Sequence, residues 1–337
     1  MRYQKLQDII SAAQHIVVLQ ADNPDADSLG SSLALEAILE ELGKTVTMVC
    51  AINIPSYLSY LDGSDRVQKQ VPSSFDATII VDTSSETLFE SLDGTIEYGW
   101  IKTKPVIVID HHISSVGISW ATVEYNETAV ATSEIIHRVA TELNWPMPVD
   151  ACNMMVTSIM ADSVGLVSEA TSPNTFRVMA DLVERGANLP MLDNKRRKLM
   201  RRDPVLIGYK GELLKRVKID KSGRVASVMI PFAEIEQYSP LYNPSMLVID
   251  DMRMTIGVDL AIAFKVYKDG KITGKIRCNY GSSIAGELGM KFGGGGHPYA
   301  AGFKVVDGTP YEDLKSQVIT EANRLLDALD DRPESEK

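Results

Sequence analysis

Three features of this 337-residue sequence predict an α/β protein of two domains. Short apolar runs that do not alternate read as parallel strands buried on both faces. Amphipathic stretches between those runs read as the helices that cover such a sheet. Beyond residue 215 the pattern changes to paired strands with turn residues between them. The expected architecture is a mostly parallel sheet with helices on both faces over 1–187, joined by a connector helix over 188–214 to a smaller α+β domain over 215–330, with a polar tail at 331–337. A chain of this length exceeds one comfortable core and can bury a substantial interior in two.

In chain order, His15-Ile16-Val17-Val18-Leu19-Gln20 is the first strand. A loop, Asn23-Pro24-Asp25-Ala26-Asp27-Ser28-Leu29-Gly30, leads to a helix marked by Leu33, Leu35, Ile38, Leu39 and Leu42. Alternate spacing can aim Asp25 and Asp27 into one pocket, although an acidic helix start also explains them. A second strand, 45–50, follows Gly43. Ala77-Thr78-Ile79-Ile80-Val81 runs into Asp82, which alone reads as a cap. Val106-Ile107-Val108-Ile109 ends in Asp110-His111-His112, which fits either a metal-ligand set or a helix-capping turn.

A helix over 128–143 carries Ile135, Ile136 and Val139 on its apolar face, with His137 as an ordinary surface or packing residue. The apolar helix through Met154 to Ala161 bears Asp162 at its end, where the helix dipole disfavours an acid unless a cation compensates. The helix 175–184 stops at Gly186. The basic stretch 195–202, closed by Pro204, reads better as a solvated connector paired with acidic neighbours than as a nucleic-acid patch. Strands 216–219 and 225–230 flank Asp220-Lys221-Ser222-Gly223, and strands 261–267 and 271–278 flank Lys268-Asp269-Gly270. A helical segment 284–292, a glycine run, an Ala-Ala-Gly strand and a helix over 309–329 complete the domain. Residues 330–337 are too polar to fold alone.

Asp25, Asp27, Asp82 and Asp162 with two histidines, delivered by successive elements of one sheet, describe a hard-ion site rich in oxygen ligands. Such donors favour manganese or magnesium, and imidazole tilts the choice toward manganese. Two ions about 3.5–4 Å apart, bridged by one carboxylate, would screen the acids and generate hydroxide for in-line attack at phosphorus. The run Gly293-Gly294-Gly295-Gly296-His297 is either a flexible loop or a backbone cradle for an anion, and Arg277 is either a surface cation or a phosphate fork.

In order and approximate spacing, Asn23 to Asp27, the Asp82 strand end, Asp110-His111-His112 and Asp162 resemble the DHH phosphoesterase superfamily. The stretch from Gly293 to Phe303 resembles the glycine-rich signature of the DHH-associated C-terminal domain. The organisation is most similar to bacterial enzymes of the oligoribonuclease and pAp-phosphatase (nanoRNase) type, with cyclic-dinucleotide phosphodiesterases, acting on c-di-AMP or pApA, next. The resemblance implies a cytoplasmic exonuclease-like hydrolase, a homodimer, and short single-stranded oligonucleotides or nucleotides as substrates, caught between two lobes. It implies Asp25 on a first metal, Asp27 on a second, Asp82 bridging, and His111 and Asp162 completing the second site. His112 would contact the scissile phosphate while Asp110 orients the histidines. Arg277, the amides of Gly294, Gly295 and Gly296, and His297 would hold the nucleotide.

Two places depart from that pattern, and at one of them the usual Asp-Thr-Gly becomes Asp162-Ser163-Val164-Gly165. Where the family places a histidine ligand of the first metal stands Ala21, so the expectation is a first site that is weaker, or ligated by water and Asp22. The same departure keeps a nucleotide-binding sensor or pseudoenzyme as an alternative, and inorganic pyrophosphatase shares a similar N-terminal constellation.

The net charge of −11 argues against broad binding to duplex nucleic acid, whose affinity comes from phosphate neutralisation. Cys50, Cys152 and Cys278 are too dispersed for a disulfide scaffold or zinc knuckle. The first residues lack a signal-peptide core, and no apolar run has the length to cross a bilayer.

Overall fold

The unalternating apolar runs are strands of a parallel sheet buried on both faces. In the computed structural model, which describes residues 2–112 and 117–331, the chain divides into two units, Met1–Met200 and Arg201–Lys337. The first contains helices α1 (Gln4–Ala12), α2 (Ala26–Glu41), α3 (Ile96–Lys102), α4 (Thr132–Glu142), α5 (Val149–Asp162), α6 (Pro173–Glu184) and α7 (Leu189–Leu199). Its strands are β1 (His15–Leu19), β2 (Thr45–Val49), β3 (Ala77–Val81), β4 (Val106–Asp110) and β5 (Val123–Asn126). They lie in the order β2-β1-β3-β4-β5, all parallel.

Successive side chains of a strand point to opposite faces, and both faces here are apolar. Ile16, Val18, Ile79, Val81, Ile107 and Ile109 pack with Leu29, Ile135 and Met155 of α2, α4 and α5. Val17, Leu19, Ile80, Val106 and Val108 pack with Phe89, Tyr98 and Ile101 on the other side. Each fully buried aliphatic or aromatic side chain stabilises the fold by about 1.5–3 kcal/mol. The register pairs Leu19 with Ile80 and Val81 with Ile109, so the carboxyl ends of β1, β3 and β4 finish on one edge. Asp82 and Asp110 both stand at that edge.

The second unit contains α8 (Val205–Lys215), α9 (Phe232–Tyr238), α10 (Pro244–Arg253), α11 (Ala285–Lys291) and α12 (Tyr311–Asp330). Its strands, β6 (Lys218–Ile219), β7 (Val225–Pro231), β8 (Leu260–Val266), β9 (Ile272–Cys278), β10 (Gly295–His297) and β11 (Ala300–Val305), form a sheet of order β10-β11-β9-β8-β7-β6. The β7–β8 pair is parallel and the rest are antiparallel. One face carries Leu260, Ile262, Phe264 and Ile276 against α11 and α12. The other carries Ala226, Val228, Ala261 and Ala263 against α8 and α10.

Two details differ from expectation. The connector, expected as one helix, contains two, α7 and α8, because Pro204 has no amide to continue the hydrogen-bond ladder. The helix expected from residue 128 starts at Thr132. His137, expected as a surface or packing residue, is buried and packs α4 against α6 through a 2.7 Å contact with Asp181. Within the basic stretch, Lys195 pairs with Asp62, and Arg196 and Arg197 pair with Asp193. Residues 332–337, expected as a tail, lie outside the described residues.

Candidate metal centre

Asp25 is the N-cap of α2: its Oδ1 accepts from the amides of Asp27 and Ser28 at 2.9 and 3.0 Å. The cap fixes the first turn and places Asp27, fully buried, one residue inside the helix. Asp27 is held from three elements. Its Oδ2 accepts from the Thr132 amide at the start of α4, at 2.8 Å, and its Oδ1 accepts from Ser31 at 3.1 Å and from Ser158 of α5. The amide end of a helix is the favourable place for such a charge.

Asp82 follows β3 with φ 61°, a left-handed conformation uncommon outside glycine. Strain of this kind persists where surrounding contacts over-determine it. Here the Asp82 amide donates to the Ile109 carbonyl at 3.0 Å and the Thr132 hydroxyl donates to Oδ1 at 3.0 Å. Burial holds the Asp82 carboxyl well above the usual range, and the nearby Asp27 charge adds to the rise.

His111 closes the cluster. Its Nδ1 lies 3.3 Å from the Ala129 carbonyl, so Nδ1 carries the hydrogen and Nε2 faces inward. Nε2 lies 3.2 Å from Asp162, 3.5 Å from Asp82 and 3.6 Å from Asp27. Burial alone would lower this imidazole, but Asp162 and Asp82 outweigh it and push it up to about 11. Without a cation, a proton on His111 thus offsets part of the acid charge. His112 is more exposed, at 59 % of its side chain. Its Nδ1 is bonded to Asp110 Oδ1 at 2.8 Å and lies 3.8 Å from Asp82. Asp110, wholly buried, therefore orients His112, whose Nε2 has no hydrogen-bond partner among the described residues.

Two sets of donor atoms lie within 4.8 Å of one another, Asp82-His111-His112 and Asp27-His111-Asp162. Carboxylates surrounding an inward imidazole whose other nitrogen is fixed by a carbonyl suit a divalent cation. Asp25 belongs to neither set among the described residues. It lines a cavity of about 250 Å³ with Ala21, Ser28, Asp82, Ser84 and His112. Burial raises its carboxyl against the pull of the Ser28 amide.

Asp22, expected with water in place of the missing histidine, is engaged through one oxygen only, and its Oδ1 is buried without a partner among the described residues. Its Oδ2 accepts from the Ser91 amide at 2.7 Å and its own amide donates to Leu88, so it anchors the 86–91 segment. Gln20, 1 % exposed, has both carboxamide atoms unpartnered among the described residues. Sequence reasoning also missed Ser31, Thr132 and Ser158. Hydroxyls within helices carry no distinctive pattern, and only the fold brings Ser158 across 131 residues to Asp27.

In the second unit, Arg277 lies on β9 opposite Ala300 and Ala261, and Gly295, Gly296 and His297 form the edge strand β10. The Gly294 amide, expected in an anion cradle, donates instead to the Gly289 carbonyl at 2.9 Å. Glycine is needed there for close packing: a Cβ at Gly294 would sit 2.0 Å from the Gly302 carbonyl oxygen.

Comparison with known proteins places this geometry in context. Residues 15–164 match the model described as "DHH family, N-terminal domain". The chain is 27 % identical over 285 residues to a Thermus thermophilus protein named "Bifunctional oligoribonuclease and PAP phosphatase NrnA", covering 83 % of this chain and 81 % of that one. A "Probable manganese-dependent inorganic pyrophosphatase" of Enterococcus faecalis is 27 % identical over 179 residues, 50 % of this chain and 56 % of its own. A solved exopolyphosphatase-related protein from Bacteroides fragilis superposes with a TM-score of 0.76 at 18 % identity, covering 97 % of each chain. That likeness extends to the fold of both units.

Proposed function

From the match of residues 15–164 to the DHH family's N-terminal domain, we propose that the chain is a metal-dependent hydrolase of phosphoester bonds whose substrates are short oligoribonucleotides, 3′-phosphoadenosine 5′-phosphate, or both. The observation that carries the reading is the convergence on His111 Nε2 of three carboxylates from α2, the end of β3 and the end of α5, at 3.2–3.6 Å. The substrate class follows the printed name of the Thermus relative, which this chain matches across both units.

Asp27, Asp82, His111 and Asp162 would hold a divalent cation, with Asp25 and the Ala21 side of the cavity left for a second and weaker one. Imidazole among carboxylates favours manganese, as does the name of the Enterococcus relative. Bound cations would supply Lewis acidity at the phosphate and lower the pKa of water. The chain's own groups do the rest. Ser31, Ser158 and the Thr132 amide keep Asp27 fixed, and Thr132 Oγ1 keeps Asp82 fixed, so the donors need not reorganise. His112, steadied by Asp110, presents Nε2 as a donor to a phosphate oxygen or to the departing alkoxide. Water adds at phosphorus and the P–O ester bond breaks; the leaving oxygen takes a proton from the His112 imidazolium, and the proton lost by the water restores it.

Purified protein with manganese, offered a triribonucleotide, the bisphosphate, a cyclic dinucleotide and pyrophosphate, tests the reading. Release of mononucleotide or of phosphate from the first two, lost on chelation and in Asp82→Asn, is expected. Turnover of pyrophosphate alone would refute it.

A further inference from the structure

Across a sheet, directly paired residues share a face. On the β8–β9–β11 part of the second sheet this rule places four cations together. Lys275 is paired with Ala263 and Gly302, Arg277 with Ala261 and Ala300, and Thr273 with Lys265 and Lys304. Ala261 and Ala263 belong to the core under α8 and α10, so these cations extend that face beyond its apolar half. Arg277 and Lys275 are two residues apart on β9, about 6.6 Å along the strand. Lys265 is the diagonal neighbour of Lys275, at about 7–8 Å.

The residues flanking Arg277 and Lys275 are small, Ala300 and Gly302 on β11 and Ala261 and Ala263 on β8, so a backbone-sized chain can approach the strand surface. Lys265, Lys275 and Arg277 are half-buried. No carboxylate lies within ion-pair distance of Lys265, Lys275, Arg277 or Lys304 among the described residues, although acids outnumber basic residues 45 to 34 in the chain. Lysine stems could be covering the edge of the core with their heads in water. That role would not favour grouping like charges: burial and Lys275 together lower Lys265, and burial and Arg277 lower Lys275. Mutual repulsion on a half-buried surface is relieved by a polyanion that spans the group.

We propose that Lys265 and Lys275 extend the Arg277 position into a track for consecutive phosphates of a linear single-stranded oligonucleotide, so that the second unit selects substrates with more than one phosphodiester. This inference rests on the oligonucleotide reading above and deepens it. The track accounts for binding by a chain of net charge −11, because the favourable field is local to one sheet face.

The test uses the full-length chain under chelation, where turnover is absent, with a fluorescein-labelled triadenylate as the probe and anisotropy read across a potassium chloride series. The parent should bind the probe. The double variant Lys265→Gln/Lys275→Gln should bind it about tenfold more weakly, and the magnitude of its log–log salt slope should fall by about 1.4, two contacts at about 0.7 each for single strands. Its affinity for AMP should change less than about twofold, and the charge-keeping pair Lys265→Arg/Lys275→Arg should restore probe binding, which separates charge from folding damage. A parent that does not bind the probe, or a double variant with parental affinity and slope, overturns the track. Failure of the manganese-loaded parent to cleave triadenylate would instead sink the oligonucleotide reading, while the lysine-dependent slope decides the track separately.

Discussion

Thr132→Val removes a single oxygen from the wall of the candidate metal centre and keeps its shape. Thr132 is fully buried, its hydroxyl donates to Asp82 Oδ1 at 3.0 Å, and its amide, retained in the variant, donates to Asp27 at 2.8 Å. Without metal, the lost hydrogen bond is worth about 0.5–1.5 kcal/mol, the range for an ordinary intramolecular hydrogen bond. With metal, Asp82 would be a charged ligand oriented by that hydroxyl, and loss of such support weakens metal affinity about 10–100-fold. At manganese held at 100 times the parental Kd, the parent gains about 2.7 kcal/mol from binding, a tenfold weaker variant about 1.4 and a hundredfold weaker one about 0.4. For units of this size each kcal/mol moves the melting temperature by about 2–4 °C. Melting followed with and without manganese should therefore show the metal-induced rise cut to half or less, with only a small change in the chelated protein. Calorimetric titration would give the affinities directly. An unchanged manganese Kd in the variant would refute the role of α4 in holding Asp82.

Other consequences follow from the same structure. Burial raises all three thiols, pushing Cys278 up to about 11, so none should react quickly with a thiol reagent at about pH 8, whereas denatured protein should release all three. Arg185 beside Asp181, with His137 adding to it, lowers the Asp181 carboxyl below its ordinary 3.8. A depressed acid stabilises the fold above its unfolded value and loses that contribution as pH falls through its folded value. Asp181→Asn should accordingly flatten the acid limb of a melting-temperature profile and leave a deficit at neutral pH; a parental acid limb would exclude the contribution. Gly294→Ala would set a methyl 2.0 Å from the Gly302 carbonyl oxygen, forcing β10 off β11, and the second unit should lose protection in hydrogen exchange at β10 and β11.

What could be read from the chain without coordinates has a physical basis. β3 and β4 are apolar at every position up to the terminal carboxylate, apart from Thr78, because both faces are covered. Their ends are where a parallel sheet exposes ligand-binding groups, so Asp82 and His111 were recognisable, whereas Asp162, at the end of α5, joined them as an acid poorly placed on the helix dipole and through the family resemblance. β5 escaped notice because it is a four-residue edge strand, Val-Glu-Tyr-Asn, with no apolar run. The supports of Asp27 escaped because Ser31, Ser158 and Thr132 look like ordinary helix residues until α2, α4 and α5 are packed. The Gly293-to-Gly296 run was visible, but its use was misread at Gly294, where steric closeness to β11 rather than a free amide demands glycine. The proline ending the basic stretch was likewise visible, and its power to divide the connector into α7 and α8 follows from its missing donor.

The central claim is that acids from α2, β3 and α5 gather around His111 to hold a divalent cation. Manganese titration calorimetry on the chelated full-length chain, repeated with His111→Ala, tests it most directly. Saturable binding by the parent that the variant weakens by at least about tenfold is the predicted result. Parental affinity retained without the imidazole, or a parent that takes up no manganese, would contradict it.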